Sequence, residues 1–292
     1  MPLNKYQKLC YRWFGRIAEK KVSDKLNRDL EAAHITIRGG AYLSCAWFNS
    51  IMSYVISLCI SVFFLIILFP MLGITVEILM LILFLIFPAI IGAITYFVYL
   101  QLPSSRAKMR AKKIEVNLPY ALNFISAMSS AGVTPTEIFK SLSKQDIYGE
   151  IKEEASWIYR DVVLLGTDIL TAIKNNIERT PSQKFKEFLQ GTVVTVTSGG
   201  SLKSYFMTKA EQYMQENRQA QKQLLESLGI MAESYVTAAV AGILLIMIVI
   251  PLMMIINGDI SQLNFMYVFI FLIVPLIHSG FAFVIKSMSQ GV

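Results

Sequence analysis

Apolar residues in this chain are gathered into long blocks rather than spread at intervals. Four windows, residues 39–76, 78–105, 234–258 and 260–285, contain no Asp, Glu, Lys or Arg. A helix rises about 1.5 Å per residue and the hydrocarbon layer of a bilayer is about 30 Å thick, so about 20 apolar residues suffice to cross it. Each window is long enough, and the pattern predicts spans at 51–71, 78–100, 235–256 and 265–285, grouped as two hairpins, 51–100 and 235–285. Buried helices of a soluble protein would need neighbours that are apolar on every side as well. Tyr96, Tyr99, Tyr235 and Tyr267 fall near span ends, where an amphipathic ring rests at headgroup level. Pro88, Pro251 and Pro275 interrupt spans and are expected to bend them.

Between the hairpins the pattern changes to amphipathic segments with explicit start and stop signals. Asn117-Leu118-Pro119 is expected to open a helix, with Pro119 at an early position where a missing N–H costs nothing, and Gly132 to close it in a left-handed conformation. Thr134-Pro135-Thr136-Glu137 reads as a capping box, and Thr180-Pro181-Ser182-Gln183 repeats the device. Gly149 and Gly166-Thr167-Asp168 mark further boundaries, and Gly199-Gly200 closes the helix expected from Pro181. After Ser201 a helical period runs without Pro towards the third span, which predicts one long helix over about 202–250. Strand signals are absent. The expectation is an all-α membrane protein: four transmembrane helices, with a cytoplasmic antiparallel helical bundle, residues 106–233, between spans 2 and 3.

Residues 1–38 form a basic amphipathic region, with Tyr6, Leu9, Trp13, Ile17 and then Val22, Leu26 and Leu30 along one side. Such a segment either lies on the membrane or docks on the bundle.

Charge sets the expected orientation. Residues 1–38 carry nine Lys or Arg, residues 106–233 carry seventeen, and Lys286 completes the 27. The short turns between paired spans hold Glu77 and Asp259 instead, so the positive-inside rule places both turns outside, and both termini and the large loop in the cytoplasm. The same rule accounts for the formal charge of +7 without nucleic acid as a partner. Arg106, Lys108, Arg110, Lys112 and Lys113 follow the second span, where they suit anionic lipid or a protein partner.

Candidate chemistry is sparse. The two histidines, His34 and His278, are far apart in sequence, which argues against a His-based metal cluster or triad. Gly199-Gly200-Ser201-Leu202-Lys203-Ser204 has the wrong spacing for a phosphate loop. Cys10, Cys45 and Cys59 match no disulfide framework or metal spacing. No catalytic residue, cofactor or metal is expected. His278 inside a span reads as packed or hydrogen-bonded, with a proton-linked role as the alternative.

From Leu118-Pro119-Tyr120 to Ser130-Ala131-Gly132-Val133 and Glu137, the chain resembles the platform proteins of type II secretion, type IV pili and the archaeal flagellum. The resemblance continues through Gly166-Thr167-Asp168, Ala172-Ile173, Phe185 and Leu189, and Ser198-Gly199-Gly200-Ser201-Leu202, and covers about 116–277. It implies a non-enzymatic membrane platform for assembling type IV pilus-like filaments, coupling a cytoplasmic hexameric secretion ATPase to pilin-like subunits. Many members hold two such modules and this chain one, so it looks like the single-module split type, which would pair with itself or with a second platform subunit. The polar turns around Lys144, Asp146 and Glu150, and around Lys174 and Arg179, are the expected motor contacts. A transporter or channel subunit, or a membrane-bound sensor, is the alternative.

Overall fold

The computed structural model describes residues 5–69, 78–257 and 262–289. Glu77, Asp259 and the turns expected around them lie outside the described residues, as do the first four residues of the basic N-terminal region. The chain divides into two compact units, Met1–Met207 and Thr208–Val292. Among the described residues every regular element is helical, and four helices are long and apolar enough to cross a membrane: Gly39–Ile66, Phe84–Ser130, Leu202–Ile256 and Leu263–Lys286.

The first unit opens with α1 (Lys5–Lys21), α2 (Asp24–Ala32) and α3 (Gly39–Phe63), the last extended by a π-helical stretch, Phe64–Leu68. Then come α4 (Ile78–Ser130), α5 (Pro135–Leu142), a 3-10 turn (Asp146–Tyr148), α6 (Glu150–Val163), α7 (Ile169–Arg179) and α8 (Gln183–Thr197). Helix α9 (Leu202–Tyr235) begins in this unit and ends in the second.

Helices α3 and α4 form a close hairpin because α3 presents a seam of small hydroxyl residues. Ser50, Ser53, Ser57 and Ser61 recur every three or four positions, which puts them on one helix face. Ser50 Oγ donates to the Gly92 carbonyl at 2.8 Å, Ser61 Oγ to the Phe84 carbonyl at 2.7 Å, and Thr95 Oγ1 to Ser53 Oγ at 3.2 Å. Hydroxyls that satisfy carbonyls across a hairpin, with small side chains between backbones, are how helices associate where lipid supplies no hydrophobic drive.

The expected start at Pro119 is not a start. The second span and the first bundle helix are one 53-residue helix, α4, with Pro88, Pro103 and Pro119 inside it. A mid-helix proline costs about 3 kcal/mol. Ile114, Leu118, Ala121, Leu122 and Ile125 are all fully buried around Pro119, and that packing outweighs the loss. The helix ends where Gly132 takes φ of 79° and its N–H donates to the Ser129 carbonyl at 3.0 Å.

Two caps also differ from the sequence reading. Thr134 is the N-cap residue of α5 with Pro135 following, but its side chain makes no capping bond, and Glu137 pairs with Lys140 at 2.9 Å instead of reaching back. Helix α8 starts at Gln183, capped by Ser182, whose Oγ accepts from Phe185 N at 3.2 Å; Thr180 terminates α7. Pro181 thus lies between the helices, since the serine two places after Thr180 offers the same oxygen closer to the apolar run.

The N-terminal amphipathic region is two helices broken at Ser23, which caps α2 by accepting from Lys25 N at 3.3 Å. Helix α1 docks on α3, and it does so through the face bearing Cys10, Phe14 and Ala18: Cys10 and Ala18 are buried, and the Phe14 ring meets Trp47 edge-on at 6.1 Å. Tyr6, Leu9, Trp13 and Ile17 stay exposed. Leu26 and Leu30 of α2 close over Tyr42, with Tyr99 of α4 against the same cluster.

In the bundle each helix packs on the next through an apolar stripe: Phe139 and Leu142 of α5, Ile151 and Ile158 of α6, Ile173 of α7, and Phe185, Phe188 and Leu189 of α8 are buried. Gly199, with φ of 70°, closes α8, and the N–H of Gly200 donates to the Thr195 carbonyl at 2.8 Å. Tyr205 at the start of α9 folds back to stack on Phe188 with centroids 6.0 Å apart and donates to the Phe188 carbonyl at 2.9 Å.

In the second unit α9 passes through a π-helical stretch, Val236–Ala241, into α10 (Gly242–Asn257); α11 (Gln262–Val268), a π stretch (Phe269–Ile273) and α12 (Val274–Ser289) follow. The wider π turn precedes Pro275 and relieves the clash that the ring would make with the turn before it. His278 Nδ1 donates to the Val274 carbonyl at 2.9 Å, and its ring meets Tyr235 edge-on at 5.7 Å.

A methyl group at Gly191 would collide with the Tyr205 hydroxyl, so Gly191→Ala must dislodge Tyr205 from Phe188. Overpacking of this kind costs about 1–3 kcal/mol, which a lowered unfolding midpoint of the detergent-solubilised chain will report.

Candidate functional site

The most elaborate polar assembly in the first unit lies where α4 leaves the hairpin and enters the bundle. Arg110 of α4 is buried. Its Nε donates to Glu150 Oε2 at 2.8 Å, its Nη2 to Glu154 Oε1 at 2.8 Å, and its Nη1 to the Ala32 carbonyl at the end of α2. Glu154 is 1% exposed, and its second oxygen accepts from Asn176 Nδ2 of α7 at 3.1 Å. One guanidinium therefore joins α2, α4 and α6, and Glu154 extends the chain of bonds to α7. Burial pushes the Glu154 carboxyl upward, while Arg110 and Asn176 pull it back down.

Trp157, one turn further along α6, is the hub of a second layer. The His34 ring stacks on it with centroids 4.2 Å apart and planes 4° from parallel. Arg160 and Arg179 lie over the same indole at 5.2 and 5.5 Å, and both guanidiniums pair with buried Asp161, at 3.0 and 2.9 Å. His34 is held with φ of 55°, and its Nε2 is 3.7 Å from Glu154 Oε1. Burial is the main cause that lowers its pKa from 6.5 to about 4, and Arg110 adds to the effect. The imidazole is therefore neutral at pH 7, and stacking on an indole already faced by two guanidiniums suits a neutral ring.

These positions divide the expected contact residues in two. Arg110, Glu150 and Arg179 turn inward and are consumed by the junction, whereas Arg106, Lys108, Lys112, Lys113, Lys144, Asp146 and Lys174 are exposed. Asp146 at the 3-10 turn pairs with Lys152, which lowers its pKa, and Ile147 beside it is 78% exposed. Gly166 takes φ of 66°, and Thr167 Oγ1 donates to the Asp161 carbonyl at 2.7 Å, so this turn fastens the end of α6. Asp168 then caps α7, accepting from Leu170 N at 3.0 Å. Sequence reasoning missed His34, Trp157, Glu154, Asp161 and Asn176. A signal was present for the acids: Glu154 and Asp161 fall in phase with Ile151, Ala155 and Ile158, on the buried face of α6. No group of metal-ligating residues occurs among the described residues.

Residues 121–250 match the family model described as type II secretion system protein F. The match covers less than half of the chain, so it is a likeness of this segment to the protein F family. That is a family of non-enzymatic membrane platforms, and the likeness to the platforms of secretion, pilus and archaeal flagellum systems holds. Over 136 residues, 47% of its length, the chain is 38% identical to an uncharacterised protein of Methanocaldococcus jannaschii, covering 23% of that protein. Over 168 residues, 56% of its length, it is 26% identical to flagella accessory protein J of the same organism, covering 29% of it. The chain thus spans about a quarter of the length of the curated relatives it matches. No solved structure matches it. The protein F domain contains Glu150, Glu154, Trp157, Asp161, Asn176 and Arg179, while Arg110 and His34 precede it. The ionic junction is therefore where the family domain is fastened to the N-terminal hairpin.

Arg110→Leu would leave Glu154 buried without its cation, which costs about 3–5 kcal/mol, while Arg110→Leu with Glu154→Leu together should recover most of the loss; unfolding midpoints of the two variants check this. The fold keeps His34 neutral, whereas the unfolded chain protonates it below pH 6.5. Stability is therefore unaffected above that pH and falls as pH drops from about 6.5 towards 4. Glu154, raised by burial, works in the opposite sense in any variant that retains it. The acid-side loss should shrink in His34→Asn, which tolerates the left-handed backbone and does not titrate, in melts across this range.

Proposed function

We propose that this chain, with its protein F-like segment, is a membrane platform for assembling pilus-like filaments. The bundle and both termini face the cytoplasm, where the bundle meets a hexameric secretion ATPase, and the spans act on pilin-like subunits. The reading rests on the protein F match of residues 121–250 together with one observation: α4 carries a span and a bundle helix in a single 53-residue rod, pinned to α6 at Arg110. At about 1.5 Å per residue the rod is about 80 Å long, against a hydrocarbon thickness of about 30 Å. Motion given to the bundle would therefore be delivered to the membrane with little loss in a hinge. Helix α9 and its continuation, described from Leu202 to Ile256, offer a second rod of the same kind. The archaeal flagellum relative supports a role in filament assembly, and the excess of cations outside the spans supports the orientation.

The exposed turn holding Lys144, Asp146 and Ile147 is the favoured motor contact, since Glu150 and Arg179 are engaged internally. Co-purification from membranes with a hexameric ATPase and pilin-like subunits tests the proposal; recovery of neither partner overturns it. Lys144→Glu with Ile147→Asp should lower ATPase recovery without changing membrane levels of the chain. Inserting Gly-Gly at Asn217 should leave insertion intact and abolish filaments, because two glycines weaken a helix by about 2 kcal/mol and uncouple its ends. Filaments counted by electron microscopy decide this, and normal filament numbers would reject the lever.

A further inference from the structure

A cavity of about 530 Å³ opens between α2 and α4, lined by Ser23, Lys25, Leu26 and Asp29 on one side and by Leu100, Gln101, Ser104, Ser105 and Lys108 on the other. We propose that it binds the phosphate of an anionic lipid headgroup.

Position is the first argument. The uncharged window of α4 ends at Ser105, and the cationic run starts at Arg106. The headgroup layer adds about 5–7 Å on each side of the hydrocarbon, or four to five residues of helix at about 1.5 Å each. With the span ending near Leu100, Gln101 to Ser105 lie at that depth, and the cavity is centred on them. Leu26 and Leu100 offer an apolar floor at the hydrocarbon side, suited to the glycerol end of a lipid.

Chemistry is the second argument. Gln101, Ser104, Ser105 and Lys108 recur at a spacing that puts them on one face of α4. Among the described residues, neither the Lys25 nor the Lys108 ammonium is paired with a carboxylate, and no partner is recorded for the Ser104 and Ser105 hydroxyls. Ser23 Oγ is already used as the cap of α2. The wall thus presents two ammonium groups and two hydroxyls as donors against one carboxylate, Asp29. The excess of one positive charge matches the single negative charge of a phosphodiester. Basic pockets beside spans at the headgroup level are where anionic lipid phosphates bind.

The full chain, purified in neutral detergent and mixed with an equal mixture of phosphatidylglycerol and phosphatidylcholine, can be read by native mass spectrometry. The expected result is retention of phosphatidylglycerol in excess. Two charge-assisted hydrogen bonds are at stake, so Lys25→Gln with Lys108→Gln should lower that preference by about tenfold or more. Lys174→Gln with Lys203→Gln removes equal charge from the bundle and should leave it unchanged. Ser105→Glu, a like charge at the exposed rim, should lower it as well, and decides alone if the double lysine variant does not fold. An unchanged preference in the cavity variants, or an equal loss in both lysine pairs, overturns the site. Displacement of the lipid by millimolar inorganic phosphate would show that the free anion is the ligand and overturn the lipid assignment.

Discussion

A carboxylate removed from water costs several kcal/mol unless donors surround it, and Glu154 is placed where only a complete set will do. Arg110 and Asn176 supply that set, from α4 and α7. The guanidinium fork is rigid and planar, so satisfying Glu150, Glu154 and the Ala32 carbonyl together fixes the angles at which α2, α4 and α6 meet. An apolar contact of equal area would hold these helices as strongly and orient them less narrowly. The polar junction specifies a geometry, and the bundle core of Ile151, Ile158, Phe185 and Phe188 supplies the attraction.

What the chain discloses before folding depends on which force decides each feature. The spans are legible because lipid tolerates neither charge nor unpaired backbone, and that constraint acts on sequence directly. The glycines at 132, 166 and 199 are legible for a similar reason: each sits at positive φ, where a side chain is strained. Pro119 misleads because a proline is read as a local signal, while its tolerance is decided by Ile114, Leu118, Leu122 and Ile125 burying the helix around it. Thr180 and Ser182 carry equivalent oxygens two residues apart, and only the packing of Phe185 selects the serine.

The charge run after the second span shows the same division. As a run, Arg106, Lys108, Arg110, Lys112 and Lys113 look alike, since each sits next to lipid in sequence. Helical phase separates them: Arg110 follows Ala107 by three and precedes Ile114 and Leu118 by four and eight, so it points with them into the protein. Lys108 instead lines the cavity between α2 and α4. His34 and Trp157 were beyond reach, because a residue pair separated by more than a hundred positions leaves no periodic trace in either segment.

The N-terminal helices show why the first hairpin belongs to the working unit rather than serving as a tether. Helix α1 covers the start of α3, α2 closes over Tyr42, and the α2 end is held by Arg110, so three separate contacts tie residues 5–38 to α3 and α4. The protein F match begins only at residue 121, inside α4. A domain attached by a flexible linker could turn freely about such a boundary, yet here the boundary falls within a continuous helix whose hairpin end is locked by serine bonds and whose bundle end is locked by ion pairs. Rotation of the bundle relative to the hairpin must therefore break Arg110 from Glu150 and Glu154 or bend the rod. The rod bends most readily at a proline, and Pro103 lies between the two locked ends.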